Sequence, residues 1–225
     1  MILVTRDCHG SHDIYKLYPL KRMELSYDDY LIILGDSGIL WNKKNPEDLL
    51  GWYKKNIPCS VLFVDGNHEN FDAINALPIT DWNGGNVHVV NKQIKHLMRG
   101  QIFTIEDKSF FTFGGGYSVD KAYRTEGLSW WKEEMPTKEE YDIGIENLKN
   151  ANNSVDYVLS HDCPGMFLEE LITNSFKAEK NELNSYLDWV YENVEFKKYY
   201  CGHHHNDIIP ANNLRCLFND IVELR

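Results

Sequence analysis

Residue types that bind metal ions recur in five short blocks of the sequence, each directly after a run of mostly apolar residues. The blocks are Asp7-Cys8-His9, Gly35-Asp36, Gly66-Asn67-His68-Glu69, Ser160-His161 and Gly202-His203-His204-His205. Carboxylates, an amide and neutral imidazoles together suit a borderline divalent metal such as manganese, iron, cobalt or zinc. The blocks therefore predict a metal centre whose ligands come from widely separated parts of the chain.

A centre of this kind indicates hydrolysis of a phosphate ester. An aspartate between two metals about 3.5–4 Å apart can bridge them, as two-metal phosphoryl chemistry requires. The metals would clamp the phosphate oxygens and lower the pKa of a bridging water, and the resulting hydroxide would attack phosphorus in line. A nearby histidine would protonate the leaving oxygen.

The runs before these blocks predict the strands that bring them together. Residues 31–34 and 60–64 are typical of buried strands in a parallel sheet. Ligands in open α/β sheets bind beyond the carboxyl ends of such strands, so we expect the five blocks to meet at one edge. Helices are predicted over residues 11–21, 47–56, 70–76, 137–152 and 181–194, and a turn over 81–85. We predict one α/β domain over residues 1–225, with two sheets packed face to face and helices outside.

Composition excludes several other classes of protein. The formal net charge of −11 disfavours tight, non-specific binding to nucleic acid or to an anionic membrane. A phosphate substrate remains compatible, because metal ions supply positive charge locally. The five cysteines form no C-x-x-C pair, which argues against a disulfide framework and favours a reducing compartment. With no recognisable leader or membrane span, we expect a cytoplasmic protein, and its oligomeric state stays open.

The ordered set of blocks resembles the calcineurin-like metallophosphoesterases over almost the whole chain. The resemblance implies a four-layer α-β-β-α sandwich of two mixed sheets and two divalent metals, manganese first, with iron, zinc, cobalt or nickel as alternatives. It implies one metal held by Asp7, His9, Asp36 and His205 and another held by Asp36, Asn67, His161 and His203. It further implies that Asp36 bridges the metals and that His68 is the catalytic proton donor, with Asn67 and His68 contacting the phosphate.

The sequence departs from the Ser/Thr protein phosphatases of this superfamily. Those enzymes continue the second block as Asp-Arg-Gly and place an arginine before the third, whereas here Ser37 follows Asp36 and Asp65 precedes Gly66. The phosphate-binding arginines of that branch are therefore missing, as is the aspartate that orients its catalytic histidine. A small phosphorylated or nucleotide-like substrate is expected instead.

Residues 114–136 begin with three glycines and contain many aromatic side chains. They either pack over the sheet edge or form a lid above the metals. Lys121 and Arg124 are three residues apart, so on a helical turn they would share a face and bind substrate phosphate together. Tyr117, Tyr123 and Trp130 could then stack on a base or ring.

Several histidines match no position of the blocks. His88 and His96 are expected in the core, while His12 and His204 are expected to support the ligand loops or to lie on the surface. The leading hypothesis is a phosphoesterase that hydrolyses a phosphomonoester or phosphodiester. The alternatives are a nuclease or cyclic-nucleotide phosphodiesterase of the same superfamily and a binding scaffold that has lost catalysis.

Overall fold

The computed structural model describes residues 1–10, 12–41, 46–171 and 179–224, and in these ranges the strands form two sheets. The seven-stranded sheet contains β1 (Ile2–Thr5), β2 (Tyr30–Leu34), β3 (Ser60–Val64), β4 (Ile79–Trp82), β5 (Gly85–Val89), β6 (Ile94–Leu97) and β13 (Val222–Leu224). The six-stranded sheet contains β7 (Gln101–Ile105), β8 (Lys108–Phe113), β9 (Tyr157–Ser160), β10 (Lys198–Cys201), β11 (Ile208–Ala211) and β12 (Leu214–Cys216).

Both sheets are mixed, with four parallel strands at the centre and antiparallel strands outside them. The strand order is β13-β1-β2-β3-β6-β5-β4 in the first sheet and β11-β12-β10-β9-β8-β7 in the second. Strands β1, β2, β3 and β6 are parallel to one another, as are β8, β9, β10 and β12. The carboxyl ends of the central strands therefore meet at one edge of each sheet, as the sequence predicts.

The helices lie on the outer faces of the sheets. The α-helices are α1 (Pro46–Asn56), α2 (Phe71–Asn75), α3 (Lys138–Asn150), α4 (Leu168–Leu171) and α5 (Glu182–Asn193). Shorter 3₁₀ helices span Ile14–Arg22, Lys121–Tyr123, Lys132–Glu134 and Gly165–Phe167. The longer helices α3 and α5 each begin with a capping box, formed by Thr137 with Glu140 and by Asn181 with Asn184.

Side chains along the buried strands alternate between the two faces of the sheet, and this alternation gives the fold its layers. In β2, Ile32 and Leu34 face the second sheet, whereas Leu31 and Ile33 pack with residues of the outer helical layer such as Leu17 and Tyr53. A residue period of two places successive side chains on opposite faces, so one apolar strand serves two cores. The second sheet is covered on its outer face in the same way, by residues of α3 and α5. The predicted four-layer α-β-β-α sandwich is confirmed.

The local predictions differ from the structure in three details. The helix predicted over 11–21 is a 3₁₀ helix at Ile14–Arg22, and Ser11 lies outside the described residues. The turn predicted over 81–85 is confirmed at Asn83 and Gly84, but strand β4, which this turn joins to β5 with pairing from Ile79↔His88 to Trp82↔Gly85, was not predicted. Strand β6 was not predicted, because its two central residues, Lys95 and His96, are polar.

Candidate metal centre

The two sheets each contribute part of the predicted ligand set. In the first sheet, Asp7 and His9 follow β1, Asp36 follows β2, and Asn67 follows β3. In the second, His161 follows β9, while His203 and His205 follow β10. The ring centres of His9 and His205 are 5.3 Å apart, and Nε2 of His161 lies 3.1 Å from Oδ1 of Asn67. Each of these pairs joins a residue of the first sheet to a residue of the second, so both sheets supply each side of the site.

The loops that hold these residues turn sharply, and five of the predicted ligands have left-handed backbone conformations. The positive φ angles are 43° at Asp7, 37° at His9, 49° at Asp36, 68° at His203 and 50° at His205. Non-glycine residues rarely adopt this region, and where they do the strain often marks a functional site. Five strained backbone conformations in one site indicate that these loops are shaped to direct the side chains and not to be as stable as possible.

Two glycines allow the loops to approach one another. A Cβ atom at Gly35 would lie 2.1 Å from Nδ1 of His161, and one at Gly66 would lie 2.2 Å from Oδ1 of Asp36. Neither position has room for a side chain, so glycine is required where the three ligand loops cross.

The surroundings of the Asp7 carboxylate indicate whether the site could hold a cation. The residue is fully buried, and neither carboxylate oxygen has a hydrogen-bond partner among the described residues. The guanidinium of Arg6 lies against Oδ2 but outside hydrogen-bond geometry. Arg6 offsets the charge of this carboxylate, but its oxygens lack hydrogen bonds, and a ligand atom of Asp7 lies within 4.8 Å of ligand atoms of Asp36 and His161. Because buried polar atoms without a hydrogen bond are costly, this group of donors fits a bound metal ion.

Asp36 lies at the centre of the site. Its Oδ2 is 3.4 Å from Nε2 of His9 and 3.7 Å from Nε2 of His161, while Oδ1 accepts a hydrogen bond from the backbone N–H of His68. Burial favours the protonated acid, but the electrostatic effect of the adjacent His161 and the hydrogen bond from His9 outweigh it and hold the pKa of Asp36 far below its usual range. The residue is therefore an ionised carboxylate facing imidazoles from both sheets.

Neighbouring groups fix the orientation of the other ligand candidates. Nδ1 of His161 donates to the carbonyl of Leu34 at 2.8 Å, which leaves Nε2 with a lone pair. The amide of Asn67 donates to Ser118 Oγ at 3.0 Å, so its carbonyl oxygen points toward His161, 3.1 Å away. Burial lowers the pKa of His203 to about 3, so that imidazole is neutral and able to ligate.

The sequence also matches the model of a known protein family. The family model described as calcineurin-like phosphoesterase matches residues 1–207 of the 225. The chain belongs to the calcineurin-like phosphoesterase family. Because the family consists of phosphoesterases, the protein is a hydrolase that acts on phosphoric ester bonds. The family is also metal-dependent.

Two solved structures resemble this calcineurin-like phosphoesterase. Phosphopantetheinyl hydrolase from Mycobacterium tuberculosis is 16% identical, with 96% of this chain and 87% of that chain covered and a TM-score of 0.47. A protein of unknown function from Aquifex aeolicus, AQ665, is 14% identical, with 87% of each chain covered and a TM-score of 0.38. A comparison with curated proteins gave no match.

His68 adjoins the candidate metal ligands of this phosphoesterase on one side and Arg124 on the other. Its ring centre is 5.6 Å from that of His9, and its ligand atom groups with those of His9 and Asp36. Nη1 of Arg124 donates to Nδ1 of His68 at 2.7 Å, and Nη2 lies 3.3 Å from Nε2. Burial and the charge of Arg124 lower the pKa of His68 despite the attraction of Asp36.

Lys121 and Arg124 make different contacts. Arg124 follows the 3₁₀ helix with an extended backbone, pairs with Asp120 at 2.7 Å and reaches His68. The ammonium of Lys121 lies 4.0 Å above the ring of Tyr117 and 5.7 Å from that of Trp130. The structure thus brings Arg124 to the site, whereas the described contacts of Lys121 are with aromatic rings, and the shared helical face expected for the two residues does not form.

Several supporting residues were missed from the sequence. Asp13 binds Nδ1 of His9 at 2.8 Å, and Lys16 donates to the carbonyl of Asp7 at 3.0 Å. Asp13 was the easiest of them to find, because it lies only four residues after His9 in the sequence. Asp120, which orients Arg124, and Ser118, which orients Asn67, had no comparable signal in the sequence, since their contacts depend on how the loop folds back.

Proposed function

We propose that phosphoester hydrolysis takes place where the two sheets meet, at a centre of two divalent metals that share Asp36. Asp7, His9 and His205 would complete the ligands of one metal, and Asn67, His161 and His203 those of the other. The supporting observation is the position of Asp36, whose Oδ2 faces an imidazole from each sheet at 3.4 and 3.7 Å. Bound metals would neutralise charge on the phosphoryl group and activate a water.

Manganese is the proposed metal, with iron, zinc, cobalt or nickel as alternatives. The set of carboxylate, amide and imidazole ligands contains no thiolate, and carboxylate and amide oxygens suit manganese. Asp7 and Asp36 supply two negative charges in a buried site, which favours binding of a pair of cations.

The proposed roles of His68 and Arg124 follow from their contact. In the structure the Nη1 hydrogen bond occupies Nδ1 of His68 and keeps the ring neutral. A phosphoryl group would attract the guanidinium to its own oxygens, since arginine binds such oxygens in a bidentate way. Nδ1 would then be free to take up a proton, and the cationic ring would donate to the leaving oxygen.

The proposed substrate is a small phosphorylated or nucleotide-like molecule. Tyr123 is 93% exposed, and Trp41 is 36% exposed with its ring centre 6.5 Å from that of His68. These rings offer apolar surface near the proton donor and Arg124. Phosphomonoesters and phosphodiesters both remain candidates, the latter including cyclic nucleotides.

Hydrolysis of nitrophenyl esters by the manganese-loaded protein tests this function. The protein is expected to hydrolyse bis-nitrophenyl phosphate or nitrophenyl phosphate, and comparing the rates shows whether a diester or a monoester is preferred. Asp36→Asn should lower manganese content and nearly abolish turnover with the fold retained. Asp81→Asn, at an exposed position on β4, is the matched control and should behave as wild type.

Two results would contradict the proposal. Full turnover with two tightly bound metals in Asp36→Asn would exclude a shared carboxylate. Absence of hydrolysis in a protein that binds two manganese ions would favour the scaffold hypothesis.

A further inference from the structure

A buried group of three metal-binding side chains lies beside the proposed dinuclear centre. Asp162 and Cys163 directly follow His161, and His204 lies between His203 and His205. Nε2 of His204 is 3.1 Å from Oδ1 of Asp162 and 3.2 Å from Sγ of Cys163. One ligand atom from each of the three residues lies within 4.8 Å of the others.

The three side chains are shielded from solvent. Cys163 is fully buried, Asp162 is 2% exposed, and the His204 side chain is 9% exposed. Their backbone is held firmly, since Asp162 Oδ1 accepts the N–H of Cys163 at 2.8 Å and Asn184 donates to the Cys163 carbonyl at 3.0 Å. The ligand atoms are therefore preorganised toward one point.

Hydrogen bonding satisfies only part of this geometry. Nε2 of His204 faces both a carboxylate oxygen and a sulfur, and its single proton can be donated well to one of them but not to both. A cation among the three atoms would pair with a lone pair from each of them.

We propose that Asp162, Cys163 and His204 bind a separate, thiolate-ligated metal ion, zinc or a similar borderline cation. A thiolate, an imidazole and a carboxylate are all common zinc ligands. The thiolate and the carboxylate together carry two negative charges, so a divalent ion makes the site neutral. The sulfur sets this site apart from the dinuclear centre, whose predicted ligands are all nitrogen or oxygen.

Such an ion has a positioning role in the molecule. It links the loop after β9 to the loop after β10, which hold His161 on one side and His203 and His205 on the other. The site does not depend on the proposed hydrolysis, since none of its three ligands belongs to the dinuclear set.

Cobalt titration of the metal-free protein tests the proposal. A thiolate bound to cobalt gives an intense near-ultraviolet charge-transfer band, which nitrogen and oxygen ligands do not give. The wild type should develop this band and bind one metal equivalent more than Cys163→Ser. Asp36→Asn should keep the band even though it loses the dinuclear metals, which separates failure of this site from failure of the proposed function.

Matched variants complete the design. Cys59→Ser replaces another fully buried cysteine, in the core beside β3, and should keep the full band. His204→Gln keeps the sulfur but removes the imidazole and should weaken cobalt binding at least ten-fold, so a folding defect of Cys163→Ser does not prevent a decision. No band in the wild type at saturating cobalt, or an equal band in Cys163→Ser, would overturn the proposal.

Discussion

The contact between His68 and Arg124 distinguishes two roles for this histidine. A metal ligand would keep its nitrogen in the site permanently, whereas a proton donor must be free to change its protonation state. The ligand atom of His68 groups with those of His9 and Asp36, but Arg124 donates to its Nδ1 at 2.7 Å. If His68 were bound permanently to a metal ion, the guanidinium of Arg124 would lie beside a second cation. The role of proton donor is therefore favoured.

His68→Ala is therefore expected to keep both metals and to lose activity. The loss should be about 10²–10⁴-fold, the usual contribution of general acid catalysis. It should be smaller for nitrophenyl esters, whose leaving group needs no proton. Metal content and rates on good and poor leaving groups would be measured, with His12→Ala, at an exposed position, as the control. Loss of a metal ion from His68→Ala would instead make this histidine a ligand.

Arg124 is expected to contribute mainly to substrate binding. Arg124→Ala should raise KM about ten- to a hundred-fold, which corresponds to the loss of a charged hydrogen bond, and should leave metal content unchanged. Lys121→Ala should have a smaller effect, since its ammonium lies over the rings of Tyr117 and Trp130. Steady-state kinetics of both variants beside Arg22→Ala, at an exposed position, would check this. An equal KM for Arg124→Ala and wild type would contradict the assignment.

The sequence predicted which candidate ligands come together better than it predicted the residues that orient them. Asp7, Asp36 and His161 are recognisable because each follows an apolar strand. Ser118 and Asp120 are ordinary polar residues of a loop, and they acquire roles only because that loop folds back onto Asn67 and Arg124. Contacts of that kind depend on tertiary structure and leave no periodic pattern in a sequence.

A group of buried polar side chains lies beneath the loop after β8, and it was not predicted from the sequence. Arg99 pairs with buried Asp65 at the end of β3 and donates at 2.8 Å to the carbonyl of Glu133, near the end of that loop. Asp65 also accepts from Nε2 of His96 at 3.0 Å. The polar residue His96 of strand β6 is thus stabilised by a residue at the end of the neighbouring strand. That contact is formed only in the folded protein, so the sequence of β6, with two polar residues at its centre, does not indicate a strand.

His88 on β5 extends this group of buried polar side chains, and it predicts a dependence of stability on pH. The residue is 6% exposed, and its Nδ1 is 3.0 Å from Nδ1 of His96. Burial, together with the charge of His96, lowers the pKa of His88 to about 4. The unfolded chain, with an ordinary pKa near 6.5, binds the proton more readily, so the free energy of unfolding should fall as pH decreases from about 6.5 to 4.

His88→Gln should flatten this part of the pH profile. The contribution removed is at most about 3 kcal/mol, from the difference between the two pKa values. Urea unfolding at several pH values would measure it, with wild type and variant in the same metal state. Asn86→Gln, an exposed position on the same strand, is the control. An unchanged slope in His88→Gln would show that other groups cause the acid sensitivity.

At the scale of the whole molecule, the candidate metal centre lies between two sheets that each have a separate outer core. The first sheet supplies the ligand candidates up to Asn67, and the second supplies those from His161 onward. The sequence predicted this convergence because the blocks follow parallel strands. None of the helices in the described residues combines the length and apolar character needed to cross a membrane.

Metals that join the two sheets should stabilise the folded state as a whole. An ion present at 100 times its dissociation constant, and bound only by the native state, adds about 2.7 kcal/mol. For a chain of this size that corresponds to a rise in Tm of about 5–10 °C. Manganese should therefore raise the Tm of chelated protein in this range, and EDTA should reverse the rise. Manganese is chosen because a site with a thiolate ligand binds it poorly.

Two aspartate variants show whether the rise in Tm comes from manganese bound at the candidate metal centre. Asp36→Asn should lose most of the manganese-dependent rise, since it removes the carboxylate that we propose the two metals share. Asp81→Asn, on the exposed strand β4, should show the wild-type rise. Comparing each variant with and without manganese removes any effect of the substitution on the metal-free protein. An undiminished rise in Asp36→Asn would mean that manganese stabilises the protein at other residues.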